Sequence, residues 1–146
     1  LAAFAPQMRM GVGYEFLERP DGYNGLVKRY GLRFAEPPRV MDLGLLYRAL
    51  ESRQVDIVAG SNTDGLIAAL KLTVLRDDLH YFPPYDAVPI VRRTALDTYA
   101  GLRAAMDGIA GRINAEEMRA MNYAVDGEKK DAAVVVKKFL ADKGLL

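Results

Sequence analysis

Short apolar runs alternate with capped helical segments across residues 8–70, and this alternation limits the chain to few folds. Met8-Arg9-Met10-Gly11-Val12-Gly13 reads as a short strand ending in glycines. Asp21 is placed to cap a helix through Tyr30, which Gly31 stops. Arg33 to Pro37 is a candidate second strand, and Asp42 then caps a helix carrying Leu43, Leu46, Tyr47 and Leu50 on one face. Val55 to Ala59 is a further strand, after which Thr63 or Asp64 starts a helix with Leu66, Ile67 and Leu70 as its apolar residues. A βαβα order of this kind builds an α/β sheet whose ligands sit at the carboxyl ends of the strands. Val88-Pro89-Ile90-Val91-Arg92 is expected as an edge or crossover strand, because its proline cannot donate to a central ladder.

From Thr94 onward the pattern is helical, with segments expected near 99–109, 115–123 and 131–143. Asn114 precedes Ala-Glu-Glu, an N-cap followed by first-turn acids. The Ala133-Val134-Val135-Val136 run reads as a buried helix face. The expected organisation is an α/β lobe with a mixed sheet over residues 8–92, followed by a helical segment over 93–146.

Composition narrows the function. With 146 residues, 51% hydrophobic and 27% charged, the chain can bury a real core. Lys and Arg number 20 against 19 Asp and Glu, and the basic residues are scattered, so no nucleic-acid footprint is present. Zero cysteine excludes disulfides, thiolate metal sites and cysteine nucleophiles. No run approaches the roughly 18 apolar residues of a membrane span, and Leu1 to Pro6 is too short and uncharged for a signal peptide. The single histidine, His80, is far from any serine framed as a nucleophile. Gly11-Val12-Gly13 lacks the third glycine of a dinucleotide fingerprint. Glu15, Glu18 and Asp21 have no His or Cys beside them for a metal. Neither a catalytic group, a metal nor a cofactor is expected.

Three segments instead suggest a ligand cleft: the polar strand exit Gly60-Ser61-Asn62-Thr63-Asp64-Gly65, the proline-framed Tyr81-Phe82-Pro83-Pro84-Tyr85-Asp86, and a polar turn from Tyr14 to Gly22. Arg19 precedes Pro20 and is therefore biased toward extended backbone. Its guanidinium either forks onto a ligand carboxylate or pairs with Glu15, Glu18 or Asp21 on a surface turn. Tyr85 follows two prolines, so its ring either presents a fixed face to a cationic head group or packs on a loop with its hydroxyl bonded locally. Thr63 and Asp64 fit helix caps, whereas Ser61 and Asn62 exceed what one cap needs and are expected to face the cleft.

Together these segments resemble the substrate-binding proteins of ABC importers for osmoprotectants such as glycine betaine and choline. The resemblance runs from about Met8 to the C-terminus. Because such proteins are about twice this length, the chain looks like their C-terminal half. It implies a periplasmic-binding-protein type II-like lobe that takes a small zwitterionic or cationic osmolyte, works with permease subunits and acts outside the cytoplasmic membrane. It further implies that Arg19 holds a ligand carboxylate, that Tyr85 faces an ammonium group, and that Ser61, Asn62 and Thr63 supply polar contacts. At the position of Ser61 the resembled family commonly carries a tyrosine, so one aromatic wall is replaced here. The chain by itself is expected to expose apolar helix faces and to pair with a second copy. A ligand-sensing regulatory domain on the same scaffold is the alternative.

Overall fold

The computed structural model describes residues 1–146, and its sheet has three strands. β1 (Met10–Val12) lies between β2 (Arg39–Val40) and β3 (Ile57–Val58). All three run parallel, with Gly11 opposite both Arg39 and Val58. Parallel strands need long crossovers. α1 (Tyr14–Glu18) and α2 (Tyr23–Tyr30) connect β1 to β2, and α3 (Leu43–Glu51) connects β2 to β3. The central strand is buried throughout, as a covered parallel strand must be.

Two compact units divide the chain: residues 1–61 with 73–83, and residues 62–72 with 84–146. The first unit holds the sheet. Its core consists of Ala5, Met10, Val12, Leu32, Leu46, Ala49 and Val55. Arg9 fastens the start of β1 to the approach to β3, because its backbone N–H, Nε and Nη2 all donate to the Asp56 carboxylate at 2.8–3.1 Å.

Several expectations need correction here. The stretch from Tyr14 is not simply a polar turn but begins with α1, which stops at Arg19 (φ −69°, ψ 143°) because the residue before a proline is pushed out of the helical region. The N-cap of α2 is Gly22 and not Asp21, whose carboxylate is engaged by Arg19. Gly31, at φ 62°, ends α2 as expected. The second strand lies at residues 39–40 and not 33–37, since Pro37 and Pro38 have no N–H for the ladder. One bond near the expected stretch remains, from the Ala35 N–H to the Met8 carbonyl at 3.1 Å. α3 starts after Asp42 as expected, but the Asp42 side chain makes no capping bond, and the helix turns Leu46 and Ala49 inward while Leu43 is exposed.

The second unit is helical: α4 (Gly65–Ala69), α5 (Arg93–Thr98), α6 (Leu102–Ile109), α7 (Ala115–Asp126) and α8 (Ala132–Asp142). α4 packs against α7 so closely that any Cβ at Gly65 would collide with the Tyr123 backbone. The Asn122 side-chain amide donates to the Thr63 carbonyl at 2.9 Å, tying the entry of α4 to the same helix. Asn114 and Glu117 form a reciprocal capping box on α7, and Asp131 caps α8 through the Val134 N–H at 3.1 Å.

Residues 88–92 form no strand, and Ile90 is 94% exposed. Pro89 interrupts any run of donors there. The helix expected at 99–109 begins only at Leu102, with α5 preceding it. Val134 and Val136 on α8 are exposed, because successive helical residues point about 100° apart and three adjacent valines cannot share one face. No helix is long and apolar enough to cross a membrane.

Candidate functional site

α1 leaves the carboxyl end of β1 and ends at Arg19, whose extended backbone turns the side chain toward Asp21. Nε donates to Asp21 Oδ1 at 2.9 Å and Nη2 to Oδ2 at 2.5 Å, a two-pronged guanidinium–carboxylate pair. Of the surface partners open to Arg19, the structure takes Asp21. The hydrogen bonds raise the Arg19 pKa further and hold the Asp21 carboxyl below the usual carboxylate range, with burial opposing both. A turn closed by the Gly22 N–H to the Arg19 carbonyl at 3.0 Å carries the pair.

Behind this turn stands Tyr81. Its hydroxyl donates to the Gly22 carbonyl at 3.0 Å and approaches the Pro20 carbonyl at 3.5 Å. The Tyr81 ring meets Phe82 edge-on at 4.9 Å between centroids, and Phe82 lies 6.2 Å from Phe16 of α1. Asp77 holds the backbone of the same loop: its carboxylate accepts from the Tyr81 N–H at 3.0 Å, from the Phe82 N–H at 2.8 Å and from the Tyr30 hydroxyl. Tyr30 in turn accepts the Leu79 N–H at 3.0 Å, and Arg29 Nη2 donates to the Leu79 carbonyl at 2.9 Å. The bond from Tyr30, followed by those from the backbone N–H groups, keeps the Asp77 carboxyl below its ordinary range. Burial leads in raising the Tyr30 and Tyr81 hydroxyls.

Sequence reasoning missed Asp77, gave Tyr30 only as the end of a helix, and quoted Phe16, Tyr81 and Phe82 without assigning them a role. Tyr81 stood four residues before the tyrosine singled out for the ligand. No periodicity links Tyr30 to Asp77, 47 residues away.

The remaining candidates fall in two places. Ser61 closes the first unit's main segment just after β3, where the Ala59 N–H still bonds the Gly11 carbonyl at 3.1 Å. Asn62, Thr63 and Tyr85 belong to the second unit. Ser61 and Asn62 are exposed and Thr63 is half-buried. Asp64 occupies the N-cap position of α4 with extended backbone, although its side chain does not make the capping bond. Tyr85 is 65% exposed. Within the first unit the structure brings Arg19 together with Asp21 and Tyr81. A cavity of about 200 Å³ on α3, lined by residues including Met41, Leu45 and Arg48, contains none of the candidates. Neither does one of about 460 Å³ lined by Ala68, Glu116, Arg119 and Ala120.

Comparison with known proteins places these features in a family. The family described as the substrate binding domain of an ABC-type glycine betaine transport system matches residues 1–142. The carnitine transport binding protein OpuCC of Listeria monocytogenes is 36% identical over 92% of this chain and 44% of its own length. A glycine-betaine-binding protein of Pseudomonas aeruginosa is 39% identical over 90% of this chain and 43% of its own length. The crystal structure of a glycine betaine/carnitine/choline ABC transporter superposes with a TM-score of 0.88 at 37% identity, covering 99% of this chain and 53% of that one. The chain thus spans about half the length of these relatives. The α/β lobe agrees with the fold expected from the resemblance, although its three strands are all parallel where a mixed sheet was expected. With the match extending over nearly all its residues, the chain belongs to the family of ABC-type glycine betaine substrate-binding domains.

Proposed function

We propose that the protein carrying this chain is the solute-binding component of an ABC importer. It captures a zwitterionic or cationic quaternary-amine osmolyte of the glycine betaine, carnitine or choline kind and presents it to membrane permease subunits on the extracytoplasmic side. The observation that carries this reading is the family match over residues 1–142. Arg19 takes the ligand carboxylate. For that role the fork that Nε and Nη2 make to the Asp21 carboxylate must pass to the ligand carboxylate. Tyr85 offers its exposed ring to the ammonium group, a contact of roughly 1–2 kcal/mol when desolvated. Ser61, Asn62 and Thr63 supply polar contacts from the exit of β3.

Calorimetry on the full-length protein tests the assignment with two ligands that share a trimethylammonium head. Glycine betaine has a carboxylate and choline does not. Arg19→Ala is expected to weaken glycine betaine by about tenfold or more, the scale of a lost charge-assisted bond, and to leave choline nearly unchanged. Equal loss for both ligands removes Arg19 from the site. Ser61→Tyr is expected to tighten both ligands by up to about 1–2 kcal/mol through one added cation–π wall. Weaker binding by a normally folded variant would mean that Ser61 contacts ligand through its hydroxyl or that a ring overfills the site.

The 146 residues alone, in the same reading, bind osmolyte negligibly and pair with a second copy. Of the apolar helix faces after Thr94 that would make that contact, Ile109 is exposed and Leu102, Met106, Val135 and Phe139 are half-buried. Light scattering over a concentration series decides it: a strictly monomeric chain that binds betaine tightly contradicts both statements.

A further inference from the structure

Three donors converge on the Asp77 carboxylate: the Tyr30 hydroxyl and the N–H groups of Tyr81 and Phe82. That places the Tyr81 backbone, and the Tyr81 hydroxyl then holds the carbonyl of Gly22. Gly22 closes the turn that starts at Arg19. The fit is tight, because a methyl group at Gly25 would run into the Tyr81 hydroxyl and the Pro20 carbonyl. A continuous path of hydrogen bonds therefore runs from Asp77, through Tyr81, to the turn that presents the Arg19 fork.

We infer that Asp77 is the positioning residue for the Arg19 fork, acting through Tyr81 and the Pro20–Gly22 turn, and that it thereby sets the preference for carboxylate-bearing over purely cationic osmolytes. This rests on the reading that Arg19 receives a ligand carboxylate. Asp77 does not itself touch ligand. Its effect differs from general loop stability, because it must fall on the carboxylate and spare the ammonium head.

Asp77→Asn is the sharp probe. The variant is isosteric, but its amide sets a donor against one of the backbone N–H groups that the carboxylate accepts. Tyr81→Phe removes only the hydroxyl that reaches Gly22 and keeps the ring.

Affinities for glycine betaine and for choline are measured by calorimetry on the full-length wild type, Asp77→Asn, Tyr81→Phe and Arg19→Ala. Amide hydrogen exchange of the Arg19–Gly22 turn is followed without ligand. The expected result is that Asp77→Asn and Tyr81→Phe each weaken glycine betaine about five- to tenfold, on the scale of one lost hydrogen bond. Choline should weaken less than about twofold by the same reasoning, and the turn should exchange faster. Equal weakening of both ligands, or unchanged exchange in the turn, overturns the inference. If Arg19→Ala leaves the betaine-to-choline ratio untouched, the reading of Arg19 fails and takes the ligand preference with it. Exchange in the turn still decides whether Asp77 anchors it. Should Asp77→Asn not fold, Tyr81→Phe carries the test.

Discussion

Asp56 shows at the scale of one residue how charge holds this sheet. Its carboxylate accepts the Arg9 backbone N–H at 2.8 Å and the Arg9 guanidinium at 3.0 and 3.1 Å. The side-chain bond from Arg9, followed by the backbone bond, keeps the Asp56 carboxyl below its ordinary range. A depressed carboxyl contributes stability that is fully present above the unfolded value of about 3.9 and is lost as pH falls through the folded value. Asp56→Asn is therefore expected to lower the melting temperature at pH 7 and to converge with wild type in the acid limb below about pH 4. Melting curves from pH 2 to 7 check this, and a constant offset at every pH would assign the effect to packing. Gly25 teaches a different lesson. Alanine would ordinarily stabilise a helix by up to about 1 kcal/mol, but here its methyl meets the Tyr81 hydroxyl and the Pro20 carbonyl. Gly25→Ala should destabilise by about 1–3 kcal/mol, the range for overpacking, and denaturant unfolding that shows a gain would contradict the close approach. That Arg19 had a choice between a ligand and a neighbouring acid was legible in the sequence. Which acid it takes was not, because the choice depends on the turn geometry after Pro20.

Among the elements, what could be read in advance was local. Gly31, Asn114 and Asp131 each mark a boundary because a cap or stop is decided by its own residue and the next few, and Asp42 and Asp64 stand at N-cap positions without making the side-chain capping bond. α1 escaped notice, since five residues ahead of a proline leave too little periodicity to see. The strands expected at 33–37 and 88–92 looked apolar enough, yet strands form only where a partner ladder accepts them, and Pro37, Pro38 and Pro89 withhold donors. The clasp from Asp77 to Tyr30 and Tyr81 was invisible for a related reason: loop residues carry no periodic signal and their partners are distant. The elements still differ in what they contribute. Leu46 is only 1% exposed and packs α3 toward β1, where its Cδ2 and Val55 border Gly11. Leu46→Ala should cost about 2–5 kcal/mol, as for a buried leucine left as a cavity. Asn114→Ala, which deletes one half of a surface capping box on α7, should cost only about 1 kcal/mol. Denaturant midpoints for the two variants rank these contributions, and an Asn114 effect as large as that of Leu46 would mean that the cap organises more than its own helix.

At the scale of the whole molecule, the two compact units differ in how much apolar surface each buries. The first encloses Met10, Val12, Leu32, Leu46, Ala49 and Val55, all nearly inaccessible, around a parallel sheet. In the second, Ile67 is the one large side chain buried to a comparable degree, and α8 leaves Val134 and Val136 in solvent. Regions with few buried apolar contacts and exposed backbone bonds open at lower free energy than core strands. Amides of β1 and α3 are therefore expected to exchange most slowly, and those of α5, α6 and α8 at least about tenfold faster, a gap of only about 1.4 kcal/mol in opening free energy. The contrast bears on function, because a ligand stabilises whatever it binds by an amount set by its concentration over Kd, about 2.7 kcal/mol at a hundredfold excess. Under the osmolyte-binding proposal that stabilisation reaches Asn62, Thr63 and Tyr85 in the less protected unit. Native-state hydrogen exchange of the full-length protein, with and without glycine betaine, should then show protection rising in residues 62–72 and 84–92 as well as at Arg19–Gly22. Protection confined to the first unit would remove Asn62, Thr63 and Tyr85 from the binding site while leaving Arg19 in it.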